Sequence, residues 1–251
     1  MTDKIYLAAA FLLGCCIFSF LNVVIYRLPK KMDFVTGRSA CPFCGHVLGA
    51  PDMVPVLGWV FLGGKCRYCK AGISVRYPLV ELVGGIAAVL CSYHYGVNPR
   101  AIIAFLFLCV LTVVSFVDMD TMEIPFSLVI AAALMGVLSA LFFPEISFVE
   151  RVIGIFCVSV PLYLLTVAVP GAFGGGDIKL MAACGIFLGW KLNLLALFLG
   201  VMGGGIYGFW LLAAKRKKRT DHFAFGPFLC LGMAAALFWG EKILDWYLGF
   251  F

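Results

Sequence analysis

Gly174-Gly175-Gly176-Asp177-Ile178-Lys179-Leu180 is the stretch on which the reading of this chain turns. It lies between two strongly apolar segments, where three consecutive glycines and an ionisable carboxylate are costly choices. An aspartate at membrane depth is expensive, so it faces protein or a water-filled cavity and marks a functional site. Irregular, glycine-rich backbone is tolerated at that depth only where protein buries it or where it lines such a cavity. A second acidic cluster, Asp118-Met119-Asp120, closes an earlier apolar segment over residues 101–117. Two carboxylates from distant parts of one chain, each beside a membrane segment, point to a carboxylate dyad.

Composition sets the setting. The 251 residues are 63% hydrophobic and only 13% charged, with a mean hydropathy of +1.06. No soluble domain of this length hides so much apolar surface, so the expected fold is an all-α polytopic membrane protein. Apolar runs at residues 6–26, 78–95, 101–117, 126–143, 148–170, 178–190, 192–214 and 223–248 give about eight transmembrane helices. The first could pass for a signal peptide, but Arg27, Lys30 and Lys31 follow it and no small-residue cleavage site ends it. It reads as a retained anchor with its amino terminus outside. With eight spans, fourteen of the nineteen Lys and Arg fall on the cytoplasmic side, as the positive-inside rule requires. Both termini are then outside, and Asp118 and Asp177 both lie at cytoplasmic span ends. The basic run over residues 215–219 is read as a topology anchor rather than a nucleic-acid site. No heptads and no internal repeat are apparent.

Three divisions follow. Residues 1–26 form the first transmembrane helix, 27–77 a small cytoplasmic zinc-binding loop domain, and 78–251 a seven-helix membrane domain. Within the loop, Cys41-Pro42-Phe43-Cys44 and Cys66-Arg67-Tyr68-Cys69 are two C-x-x-C knuckles. Each supplies two thiolates to a tetrahedral zinc, and a loop with a meagre apolar core needs such a staple. Gly45 and Gly64 flank the knuckles, where tight turns can aim amides at the sulfurs. Disulfides are disfavoured in the cytoplasm, and no βαβ context supports thioredoxin-like chemistry. His46 is a surface residue, since four cysteines close the shell. Seven of the eleven cysteines lie in apolar segments as small hydrophobes.

An aspartyl mechanism needs two carboxyl groups close enough to share one proton: the protonated one polarises the scissile carbonyl and its partner activates water. Asp177 is one member, because the glycines free its backbone and leave room for an extended substrate. Asp118 and Asp120 would lie about 200° apart on a helix, so one alone faces the cavity. Glu123 is read as solvated.

With these residues in view, the chain resembles the type IV prepilin peptidases, the GxGD aspartyl proteases of bacterial inner membranes. The resemblance covers nearly the whole chain. It runs through Ser19 to Pro29, both knuckles, Ile73 to Glu81, Asp118 with Ile124-Pro125, the glycine–aspartate stretch with Lys179, and Phe225-Gly226-Pro227. It implies Asp118, seven residues before Pro125, as the first catalytic aspartate and Asp177 as the second. It further implies a multi-pass protein of the bacterial cytoplasmic membrane that cuts short basic leaders from type IV prepilins or pseudopilins after a glycine. Many members then methylate the new amino group with S-adenosylmethionine, and Gly64 and Glu81 are carried over for that step. Phe18, Phe126 and Ala224 depart from the family's usual residues. Two competing readings remain at this point: a transporter with a zinc-stapled loop and an aspartate proton relay, and an amine methyltransferase with vestigial aspartates. The sequence leaves the oligomeric state open.

Overall fold

The computed structural model describes residues 2–214 and 223–249. Among them every long element is helical: α1 (Thr2–Arg27), a short α2 (Leu57–Phe61), α3 (Arg76–Tyr95), α4 (Pro99–Thr121), α5 (Phe126–Phe142), α6 (Phe148–Ala168), α7 (Gly175–Ala213) and α8 (Gly226–Leu248). Six are long and apolar enough to cross a membrane, and α5, at 17 residues, is a shorter apolar helix.

The 39 residues of α7 are not one rod. Gly189, at φ 70° and ψ 174°, breaks it. In a straight helix Met181 and Asn193 would be about 18 Å apart, yet Asn193 Nδ2 donates to the Met181 carbonyl at 3.1 Å. The chain therefore folds back on itself, as two apolar arms over 175–188 and 190–213. Counting both arms and α5, eight apolar helical segments stand where eight were expected. The basic run over 215–219 lies outside the described residues.

Ends are set by local chemistry. Ser147 and Glu150 form a capping box at the start of α6. Gly96, at φ 67°, ends α3. Met122, at φ 55°, takes the left-handed position after α4 that glycine usually fills, and its N–H returns to the Asp118 carbonyl at 2.8 Å. Apolar side chains face outward along these helices: Val137 and Leu141 of α5 are 60% and 77% exposed, as a lipid-facing surface demands.

The chain divides into two compact units, Met1–Phe105 and Leu106–Phe251. In the first, α1 packs on α3. A Cβ on Gly14 would collide with the Gly84 carbonyl, so small residues set that close approach. Phe18, one of the departures from the family pattern, is fully buried against Gly84, its ring tilted against that of Phe105 with centroids 5.8 Å apart. The second unit holds α5 to α8 and most of α4. Gly154 of α6 and Gly185 of α7 press backbone to backbone. Arg151, buried in α6, donates to Ser139 Oγ at 2.6 Å and to the carbonyls of Phe143 and Ile186 at 2.8 Å each. The guanidinium thereby ties the end of α5 and the first arm of α7 to α6.

Candidate active site and metal centre

Asp118 and Asp177 are among the few buried polar side chains of the second unit, at 5% and 8% exposure. Both line one cavity of about 280 Å³, together with Gly174, Gly175, Gly176 and the turn over residues 122–124. Asp120 is exposed, so the helix does separate the two neighbours as its periodicity requires. Glu123 is exposed too, but it lines the cavity and is not simply out in solvent. Its turn is held by Thr121, whose hydroxyl donates to Val117 and Glu123 carbonyls and accepts the Glu123 N–H.

The two carboxylates are positioned differently. Asp177 sits in the first turn of α7, where no side chain caps the helix and its carboxylate turns back toward Gly174. A Cβ on Gly174 would lie 3.1 Å from Asp177 Oδ2. Asp118 sits in the last turn of α4 and accepts the backbone N–H of Gly226 at 2.9 Å, a buried bond to the first residue of α8. Asp177 has a backbone partner of its own at Gly174, so each carboxyl is tied to main chain, Asp118 across to another helix and Asp177 within its own turn. The sequence placed Gly226 within the family resemblance but gave it no role; the available signal was Pro227, which marks a helix start with an orphan donor just before it.

The four loop cysteines come together. Their sulfurs all lie within 4.8 Å of one another, with Cys41 and Cys69 at 3.8 Å. Thiolates on a tetrahedral zinc at about 2.3 Å sit about 3.8 Å apart, so the donor set and its spacing fit that ion. The amides of Cys44 and Phe43 bring the Cys41 thiol down to about 6. At Cys69 the Ala71 amide acts in the same direction, but burial and the neighbouring thiols outweigh it and push the group up to about 11. Four crowded thiols compete for negative charge, and a dication among them lets all four ionise.

The knuckles repeat each other at an offset of 25 residues, which the sequence had not revealed. Cys41 N–H bonds to the His46 carbonyl and Cys66 N–H to that of Ala71; isolated bridges pair Ala40 with Val47 and Lys65 with Gly72. The left-handed residue is Gly45 in the first knuckle and Lys70 in the second. Gly64 is not the counterpart of Gly45: at φ 69° it lies under the Trp59 ring. His46 is exposed, its ring tilted against that of Tyr68 with centroids 3.6 Å apart. Asp52, also missed, joins the linker to the second knuckle by accepting from Arg67 Nε at 2.5 Å, Tyr68 Oη at 3.4 Å and Gly49 N–H at 3.2 Å. The bonded Arg67 guanidinium holds its carboxyl below the usual range.

Glu81, 8% exposed, accepts the Val56 N–H at 2.7 Å. Val56, at φ 60°, is the centre of a tight turn in which Leu57 N–H bonds to the Pro55 carbonyl at 2.6 Å, a rare and strained conformation. The observed contacts of Gly64 and Glu81 are thus with the loop itself, and no step of methyl transfer is derived from them.

A bundle of apolar helices that buries two carboxylates at a glycine-rich helix start defines a membrane protein with a polar cavity built for chemistry. Comparison with known proteins says which. Residues 12–95 match the bacterial peptidase A24 N-terminal domain and residues 105–209 the type IV leader peptidase family. Proteins named prepilin leader peptidase/N-methyltransferase are similar along almost the full length. That of Aeromonas salmonicida is 32% identical over 97% of this chain and 94% of its own. That of Legionella pneumophila is 30% identical over 92% and 91%, and that of Pseudomonas aeruginosa 31% over 98% and 94%. No solved structure matches the chain. The chain belongs to the type IV leader peptidase family and is a multi-pass inner-membrane peptidase. Nothing in these findings favours the transporter reading.

Proposed function

We propose that Asp118 and Asp177 are the catalytic dyad of an aspartyl endopeptidase that removes the short basic leader of type IV prepilins or pseudopilins, working at the cytoplasmic face of the membrane. The observation that carries this is geometric: two buried carboxylates from α4 and α7 line one cavity that three glycines open at the start of α7. Two carboxyls lining one cavity hold a proton between them, so that one acts as acid and the other as base. The three glycines put no side chain in the way of an extended peptide. The orientation rests on the excess of Lys and Arg in the loops assigned to the cytoplasm.

Residues 27–77 act as the zinc-stapled cytoplasmic domain, with Cys41, Cys44, Cys66 and Cys69 as ligands. Zinc supplies folding free energy there rather than chemistry. The relatives' name extends the activity to N-methylation of the new amino terminus with S-adenosylmethionine. Gly64 and Glu81 contribute to that step by shaping the loop, in keeping with their contacts to Trp59 and Val56.

The test is leader cleavage of a prepilin peptide by purified Asp118→Asn and Asp177→Asn proteins that keep the wild-type melting temperature. Neither should cleave, while both still methylate a pre-cleaved peptide. Full cleavage by a folded Asp177→Ala protein sinks the assignment.

A further inference from the structure

The dyad cavity has a third carboxylate in its lining, one that the reaction at the dyad does not use. Asp118, Glu123 and Asp177 all line it, and none of the lining residues is Lys, Arg or His. Glu123 stands in the turn between α4 and α5, where its main chain is held on both sides. The Thr121 hydroxyl accepts the Glu123 N–H at 3.3 Å and donates to the Glu123 carbonyl at 3.1 Å. The same turn meets the glycine segment at Ile124, whose Cβ lies 3.0 Å from where a Cβ on Gly176 would stand. Glu123 is therefore placed at the cavity rim by fixed backbone, while its side chain stays exposed. Among the described residues no ion pair engages its carboxylate. The Lys179 ammonium, on the same side of α7 as the cavity in sequence, lies 5.8 Å over the Phe126 ring instead. A cleft lined by charge of one sign concentrates its field at the mouth, so this rim attracts a cation.

We infer that Glu123 reads the charge of the substrate: its carboxylate pairs with a lysine or arginine side chain on the amino-terminal side of the scissile bond. This rests on the leader-peptidase reading above. The dyad cannot do this work itself, because a cation paired with Asp118 or Asp177 would occupy a carboxyl that the reaction needs. Glu123 supplies the attraction from beside the dyad and leaves both carboxyls free. The pairing also gives the bound peptide a direction. Its basic leader lies at the α4–α5 turn, and the chain beyond the scissile bond runs along Gly174 to Gly176, where no side chain obstructs it. Because the pair forms at an exposed rim, it acts on substrate binding and is screened by salt.

Full-length enzyme and three prepilin peptides test this, the peptides differing only in whether the leader carries lysine, glutamine or glutamate at its charged positions. The readout is the ratio of kcat/KM for the lysine leader over the glutamine leader. Glu123→Gln should lower that ratio by about threefold to fivefold, the scale of a solvent-facing ion pair, through a higher KM for the lysine peptide. Glu123→Lys should turn the preference round, so that the glutamate leader is cut better than the lysine leader. Added salt should shrink the ratio in the wild-type enzyme more than in Glu123→Gln. Asp120→Asn, a neighbouring acid outside the cavity lining, should keep the wild-type ratio. A ratio unchanged in both Glu123 variants overturns the inference and leaves the peptidase intact. So does a fall in kcat alone that is equal for all peptides, or a loss of preference as large in Asp120→Asn. A wild-type enzyme that cuts none of the peptides overturns the leader-peptidase reading, and the inference with it.

Discussion

Gly226 and Asp118 are 108 residues apart in sequence, and the N–H of the first donates to Oδ2 of the second at 2.9 Å. The bond fixes the end of α4 against the start of α8 and sets where one carboxylate of the cavity stands. It leaves no room beside it: a Cβ on Gly226 would lie 2.7 Å from Oδ2 and 3.1 Å from Cγ of Asp118.

Gly226→Ala should therefore shift Asp118 without unfolding the bundle. Displacing a catalytic group by about 1 Å can cost about 10²-fold in rate, and that is the loss expected in kcat for leader cleavage, with an unchanged melting temperature. A variant within twofold of wild type would mean that Asp118 is not placed by this bond.

Asp118→Asn and Asp177→Asn should behave as one unit. The double variant is expected to be hardly slower than either single, because removing one partner already removes the shared proton and the water activation. Asp120→Asn, altering an exposed side chain, should keep most of the activity. Additive losses across the pair, read by single-turnover cleavage, would argue against a common mechanism.

Arg151→Met tests the buried guanidinium of α6. The change leaves Ser139 Oγ and the carbonyls of Phe143 and Ile186 without that donor. Each buried acceptor left unpaired costs about 1–3 kcal/mol, so the melting temperature should fall by many degrees and yield with it. Arg151→Lys should recover part of the loss, since an ammonium can reach one or two of these acceptors but lacks the planar fork. Equal stability of all three proteins would show that the contacts contribute little.

Much of this was legible in the sequence because membrane solvent writes its demands in hydropathy. Eight apolar runs became eight helical segments among the described residues, and helical period allowed only one of Asp118 and Asp120 to face a cavity, while the choice of Asp118 came from the family resemblance. The four-cysteine cluster was legible because a structural zinc site would demand that ligand type and that spacing. What stayed hidden depended on backbone partners far apart in sequence. The Gly226 N–H has no side chain to advertise it. Asp52 looked like one loop carboxylate among others until Arg67 and Tyr68 folded onto it. The repeat of the knuckles escaped notice because the two share a hydrogen-bond register and two cysteines, while most other positions differ.

Zinc binding should prove structural. Metal analysis of the purified protein is expected to find about one zinc per chain. Cys66→Ser, which removes a buried ligand, should lose it and expose the loop to protease. Acid should release the metal as protons compete for the thiolates. Stoichiometric zinc in the Cys66→Ser protein would move the site elsewhere.

The paired knuckles supply their own control for backbone strain. Gly45 and Lys70 occupy the same left-handed position, at φ 69° and φ 62°, but a side chain there costs about 1–2 kcal/mol relative to glycine. A Cβ at Gly45 meets nothing within 4 Å, so the cost is one of backbone conformation and not of collision. Because metal binding and loop folding are one equilibrium, relief of that strain should appear as zinc affinity. Lys70→Gly should tighten zinc by roughly fivefold in competition with a chelator, about 1 kcal/mol by the usual conversion. Gly45→Ala should weaken it by a similar factor, and combining the two should return the affinity close to wild type, since each acts on its own knuckle. Lys70→Gly leaving the affinity unchanged while Gly45→Ala lowers it would mean that the Lys70 side chain makes a contact that offsets its backbone strain.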